Sequence, residues 1–227
     1  MAMPSNRLAL SNTANSTMIS TVNYRGPTLM LFLGFSLQTA EAGMIDKDGM
    51  APWEICGMCH SLDGNSHMAK FPKLAGQKAA YIVQQFNAFH NGQRTNDGGQ
   101  MQAISEEVQA QDLASIAEHF ESQVAVEPPA PTGDIERYRQ GKALYQQGRP
   151  GLAACVQCHN PSQARTPWLD AQHPAYLNKQ LDDFRSGRRD AQSETPMPAI
   201  AKALSPEEQT AVTHYLSRTL LRHKPPD

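Results

Sequence analysis

Residues 55–65 read ICGMCHSLDGN, and residues 154–160 read ACVQCHN. Each stretch contains a Cys-x-x-Cys-His run: Cys56, Cys59 and His60 in the first, Cys155, Cys158 and His159 in the second. One such run taken alone suits half a zinc site, a dithiol redox pair or a haem attachment point. These four residues are all the cysteines in the chain. Bridging within either pair would close a very small loop and constrain little of the unfolded chain, so a disulfide scaffold is a poor reading.

Outward from the two runs, the chain repeats itself. His60 matches His159, and residues 71–94 (FPKLAGQKAAYIVQQFNAFHNGQR) lie over 166–189 (TPWLDAQHPAYLNKQLDDFRSGRR) at a constant offset, Pro72 on Pro167. Leu74, Gln77, Tyr81, Gln85, Phe89, Gly92 and Arg94 recur as Leu169, Gln172, Tyr176, Gln180, Phe184, Gly187 and Arg189. After one further inserted residue, MQAISEEVQ (101–109) lies over MPAIAKALS (197–205). Between the copies, residues 124–134 (VAVEPPAPTGD) have the Pro-rich composition of a semi-rigid linker. The expected organisation is a first domain over 43–122, a linker over 123–133 and a second domain over 134–227.

The local pattern is helical. Tyr81, Ile82, Phe86 and Phe89 fall at helical spacing, as do Tyr176, Leu177, Leu181 and Phe184, and Gly92 and Gly187 end those helices. Each copy closes on another amphipathic helix, through Leu113, Ile116, Ala117 and Phe120 in the first and Val212, Tyr215, Leu216 and Leu220 in the second. Ser205-Pro206-Glu207-Glu208 is a strong helix start, with a serine cap, proline at the first position and acids in the first turn. A further helix over about 134–147 leads into the second cysteine pair. No stretch alternates in the manner of a strand, so the fold class is all-α, in two like domains. Domains this small usually need a metal, a disulfide or a cofactor as extra core.

The rivals to haem lack support. A closed zinc site takes four ligands; the first copy could add His67 and His90, but His67 has no aligned counterpart and His90 aligns with Arg185. A thioredoxin-like pair belongs in a βαβ setting, which this pattern does not contain. Haem accounts for all three residues at once. Two thiols one turn apart form thioethers to the vinyl groups on one porphyrin edge, and the adjacent histidine becomes the proximal iron ligand. The sixth ligand follows by elimination. After Met101 the chain holds a single methionine, Met197, and it sits in register with Met101. Met58 and Met68 lie too near His60 in sequence to reach the opposite face. Metal ligands are therefore expected at His60, Met101, His159 and Met197, with cofactor attachment at Cys56, Cys59, Cys155 and Cys158.

At the N-terminus, Arg25, the apolar run PTLMLFLGFSL (27–37) and Ala40-Glu41-Ala42 have the order of an export signal ending at a small-residue cleavage site. The run is too short to span a membrane, which takes roughly 20 residues. A signal peptide is expected over 1–42, over-extended at its start if translation begins at Met18, with a periplasmic mature chain. The formal net charge is −2, which gives no basic patch for nucleic acid.

The two Cys-x-x-Cys-His runs, PKLAGQxxxY at 72–81, Phe-x-x-Gly-x-Arg at 89–94 and 184–189, and Met-x-x-Ile at 101 and 197 resemble the cytochrome c4 family of dihaem c-type cytochromes. The resemblance covers nearly all of the chain after residue 42. It implies two small helical haem domains in one chain and two covalently bound haem c groups near the domain interface. It also implies periplasmic one-electron transfer to a terminal oxidase, with a quinol-oxidising complex or a dehydrogenase as donor and membrane contact only through those partners. By the same resemblance the carbonyls of Pro72 and Pro167 accept the proximal imidazole N–H and orient the ring. The second copy departs from the pattern where Asp170-Ala171 stands in place of Ala75-Gly76.

A His/Met pair saturates the iron and favours its ferrous state, leaving electron exchange rather than substrate turnover. A dihaem peroxidase needs one haem that loses its distal ligand, and cysteine ligation needs a fifth cysteine. A free carrier and the dihaem subunit of a larger dehydrogenase, such as a flavocytochrome sulfide dehydrogenase, both remain open. His119 and His214 are expected at the surface, and Trp53 and Trp168 against haem edges or the domain interface. Tyr81, Tyr176, Arg94 and Arg189 are candidates for haem propionate contacts, with helix packing and solvated faces as the alternative.

Overall fold

The computed structural model describes residues 45, 47–189 and 195–222, and the segment expected as an export signal lies outside them. Among the described residues the regular structure is helical, with one isolated bridge between Arg149 and Leu152 and no named strand. The all-α expectation therefore holds. The first copy contributes α1 (Glu54–His60), α2 (Ala79–His90), α3 (Gln100–Glu106) and α4 (Leu113–Ser122). The second contributes α5 (Ile135–Gln147), α6 (Pro174–Ser186), α7 (Met197–Ala203) and α8 (Pro206–Leu216).

Helix limits follow local chemistry. Asp134 caps α5 by accepting from the Arg137 amide. Ser205 and Glu208 form a reciprocal capping box at the start of α8, each side chain taking the other's backbone N–H. Gly187 ends α6 in the left-handed conformation, φ 77°, which costs glycine nothing.

Packing then brings each closing helix onto its copy. In the first, α2 packs on α3 and α4; in the second, α6 packs on α7 and α8 while α8 crosses α5. The α5–α8 crossing is close because Gly141 lacks a side chain: a Cβ there would stand 2.0 Å from the Ala211 carbonyl oxygen. Tyr138 and Tyr145 flank that contact and pack their rings against Tyr215. Leu144, Tyr145, Leu152, Leu177, Leu204, Val212, Tyr215 and Leu216 form one buried cluster, and Cys155 packs against it.

The faces of α2 and α6 differ from the expected apolar stripe. The buried residues of α2 are Gln85, Ala88 and Phe89, and those of α6 are Leu177, Gln180 and Asp183. Tyr81 and Tyr176 are only half-buried. Polar side chains are buried here because the two copies meet through them. Arg94 donates to Gln85 Oε1 (2.7 Å), Gln180 Oε1 (2.9 Å) and the Tyr176 hydroxyl (3.2 Å). Its counterpart Arg189 donates to Gln180 Oε1 (2.7 Å), Gln85 Oε1 (3.0 Å) and the Tyr81 hydroxyl (3.0 Å). The contact is reciprocal in the way of an isologous dimer interface. The two arginines named as candidates for propionate contacts thus bond Gln85, Gln180 and the tyrosine hydroxyls where the copies meet, with Arg189 Nε left without a partner.

Candidate haem sites

Cys56 and Cys59 lie one turn apart on α1, and His60 is its last residue. The second run is wound more tightly: Cys155–Gln157 is a 3-10 turn that leads through Cys158 to His159. All four thiols are free. Burial pushes Cys56 and Cys155 up to about 11, each helped by its partner cysteine and opposed by a backbone hydrogen bond. Among the described residues no three His, Cys, Asp or Glu side chains are arranged so as to hold a metal ion by themselves.

Both imidazoles are held the same way. His60 Nδ1 lies 2.8 Å from the Pro72 carbonyl oxygen and His159 Nδ1 2.9 Å from that of Pro167. A carbonyl only accepts, so each ring carries its proton on Nδ1 and leaves the Nε2 lone pair for a metal. Burial pushes both imidazoles below the ordinary histidine range, the proline carbonyls working in the opposite direction. Each site thus has a neutral, oriented donor nitrogen at the end of a Cys-x-x-Cys turn, and these residues fit a covalently attached haem. Met101 is the second residue of α3 and Met197 the first of α7, both half-buried at the start of equivalent helices. Their amides are tied down, Met101 N–H to Asp97 Oδ2 (2.5 Å) and Met197 N–H to Thr195 Oγ1 (3.3 Å).

The supports of the two prolines come from the opposite copy. Gln172 accepts from the Lys73 N–H (2.9 Å) and donates to the Lys73 carbonyl (3.0 Å). Gln77 accepts from the Trp168 N–H (2.9 Å) and donates to the Trp168 carbonyl (2.9 Å). Lys73 and Trp168 each directly follow the proline that orients a proximal histidine, so each copy braces the other's imidazole at one remove. Gln77 and Gln172 recur in register in the sequence, and that was the available signal; their crossing over was not legible there.

The remaining aromatic and histidine positions divide. Trp168 stands at the contact between copies, with Lys78 Nζ 4.5 Å from its ring centroid. Trp53 stacks on His119, centroids 4.4 Å apart and planes 7° apart, and His119 Nε2 lies 2.9 Å from the Leu62 carbonyl. His119 and His214, expected at the surface, are both half-buried, and the Nε2 of His214 has no hydrogen-bond partner. Each sits on a helix that turns its apolar side inward, and the ring is long enough to follow it.

The family model for cytochrome c matches residues 138–219. Over 197 residues the chain is 37% identical to cytochrome c4 of Pseudomonas aeruginosa, spanning 83% of this chain and 95% of that one. The chain belongs to the cytochrome c4 family. Reduced recombinant cytochrome c4 from Pseudomonas stutzeri shares its architecture at a TM-score of 0.63 and 34% identity, covering 72% of this chain and 92% of that one. A protein named as a thiosulfate dehydrogenase electron acceptor, from Stutzerimonas stutzeri, is 31% identical over 196 residues, 82% of this chain and 90% of that one. As a member of the cytochrome c4 family this chain is a dihaem c-type electron carrier and not an enzyme, with two covalently bound haem c groups.

Proposed function

We propose that this cytochrome c4 family member works in the periplasm as a soluble relay between a dehydrogenase or quinol-oxidising complex and a terminal oxidase. Its two haem domains run over 43–122 and 134–227, joined by the linker at 123–133 and preceded by an export signal over 1–42. Cys56 and Cys59 would hold the first haem and Cys155 and Cys158 the second. His60 and Met101 would ligate the first iron, and His159 and Met197 the second. When bound, each haem supplies one-electron oxidation and reduction of its iron. The chain's part is to offer an imidazole and a thioether to each iron, to fix the imidazoles through Pro72 and Pro167, and to hold the two copies together through Gln77, Gln172, Arg94 and Arg189. The observation that carries this reading is the duplicated pair of proximal geometries, with a methionine in register beyond each.

Replacing either methionine tests the ligation. A thioether raises the potential relative to a second imidazole, and axial ligands command a span of about 0.8 V. Met197→His is expected to lower one of the two midpoints by a substantial part of that span and leave the other in place; unchanged midpoints in a spectroelectrochemical titration would remove the assignment.

A second reading concerns the donor. The kinship with a thiosulfate dehydrogenase electron acceptor favours a thiosulfate-oxidising donor over the flavoprotein of a sulfide dehydrogenase complex. Stopped-flow mixing of the oxidised protein with purified thiosulfate dehydrogenase and thiosulfate is expected to reduce both haems at a rate competent for turnover. Slow reduction there, with co-purification of a flavoprotein, would favour the complex-subunit reading instead.

A further inference from the structure

Lys78 and His173 hold the same register position, each directly after the glutamine that braces the opposite copy. Each also reaches the loop that follows the opposite copy's Cys-x-x-Cys-His run. His173 Nε2–H donates to the Ser66 carbonyl (2.8 Å), and Ser66 Oγ in turn donates to the Cys59 carbonyl (3.2 Å). Lys78 Nζ donates to the carbonyls of Asn160 (2.6 Å) and Gln163 (2.8 Å) and lies over the Trp168 ring. Asn160 is the residue after His159.

The positions match, but their charges do not. Burial, together with the positive charge of Lys73, pushes the His173 imidazole below its ordinary range, so the ring bonded to Ser66 is neutral near pH 7. Lys78 is buried at 7% exposure, and burial pulls its ammonium below the ordinary lysine range, while two carbonyl acceptors and an aromatic face stabilise the cation against that. It enters none of the ion pairs among the described residues. Glu121 lines the same cleft, but its Oε1 accepts from the Ala79 N–H at 2.9 Å.

We propose that Lys78, a residue of the first copy, is a positioning charge for the haem of the second copy and raises that haem's reduction potential. The proposal rests on His159 being the axial ligand of that haem. Ferric iron carries one more positive charge than ferrous iron, so a fixed cation beside the proximal loop disfavours the oxidised state. Burial keeps that charge close and poorly screened. The neutral imidazole at the equivalent place gives the first haem no such bias.

The test is a potentiometric titration of the holoprotein, with Met101→His used to displace and so identify the first midpoint. In Lys78→Gln and Lys78→Met the second midpoint is expected to fall and the first to stay, while Lys78→Arg keeps the original value. The fall should persist near 1 M salt, where the Debye length is only about 3 Å and a surface charge would have lost its influence. A second midpoint that stays put in both neutral variants, equal shifts of both midpoints, or the same fall in Lys78→Arg would each overturn the role. Should Met101→His displace neither midpoint, the ligand reading itself fails, and the proposal with it.

Discussion

Replacing Cys155 and Cys158 together by alanine is expected to leave one covalent haem per chain in a pyridine haemochrome assay and to unfold the second copy. The reason lies in what the second haem does for its core. The buried cluster of the second copy is eight residues, with Cys155 packed at its margin. A small domain has only about 5–15 kcal/mol of net stability to lose. A porphyrin adds apolar contact worth about 25 cal/mol for each Å² removed from water, which is large against so small a core. Hydrogen exchange is expected to show α5 and α8 losing protection. The first copy should keep its haem but lose the bracing of Lys73 by Gln172, so its own transition moves to lower denaturant. Two covalent haems in the variant would refute attachment at these cysteines. One haem with α5 and α8 still protected would refute the haem as core.

Arg222→Ala is expected to cost about 3–5 kcal/mol, the range for removing one partner of a buried ion pair. Arg222 and Asp170 are 6% and 0% exposed, and their closest charged contact is 3.3 Å. Asp170 Oδ2 also accepts from the backbone N–H of Leu221 (2.7 Å) and Arg222 (3.0 Å), while Oδ1 has no partner. The guanidinium extends further, to the carbonyls of Ala75 in the first copy (2.5 Å) and Asp170. Its loss would strand a buried carboxylate and untie the end of the second copy from the first. Guanidinium titration followed at the haem Soret band should show the loss. Asp170→Leu with Arg222→Met should recover much of it, because removing both charges removes the desolvation cost. A single variant as stable as the parent would show that the pair carries no such weight.

That pair also explains the departure at Asp170-Ala171. Gly76 takes φ 64° and bonds its amide to the Phe120 carbonyl; Ala171 takes φ 52° and bonds its amide to the carbonyls of Leu216 and Thr219. The turn is therefore kept in both copies, with alanine bearing a backbone strain that glycine does not. A Cβ on Gly76 would meet the Arg222 side chain at 3.1 Å, so the first copy retains the glycine where the second copy's arginine crosses over it. In sequence these two positions read as divergence within a motif, while in the fold they face one clamp.

Local physics was legible along the chain. The helix after each cysteine run, the Ser205 capping box and the glycine stops depend on neighbours a turn or two away, and sequence pattern records such neighbours well. So does the chemistry of Cys-x-x-Cys-His, whose donors are adjacent in the chain. The buried faces of α2 and α6 were not legible, because Gln85, Gln180 and Asp183 are polar and a hydrophobic period passes over them. They are buried because partners come from some 80 to 110 residues away: Asn96 to Asp183 at 2.6 Å, Arg94 to Gln180, Arg189 to Gln85.

Two haem sites and a helical shell around each thus follow from residue type and spacing alone, since covalent attachment and helix formation are both local. Which copy a given side chain bonds to was decided by the tertiary structure. Gln77, Lys78, Gln172 and His173 belong in sequence to one copy and act on the other. Only docking brings a side chain within 3 Å of a carbonyl that far along the chain, and hydrogen bonds and Coulomb forces between such groups have no trace in a linear pattern.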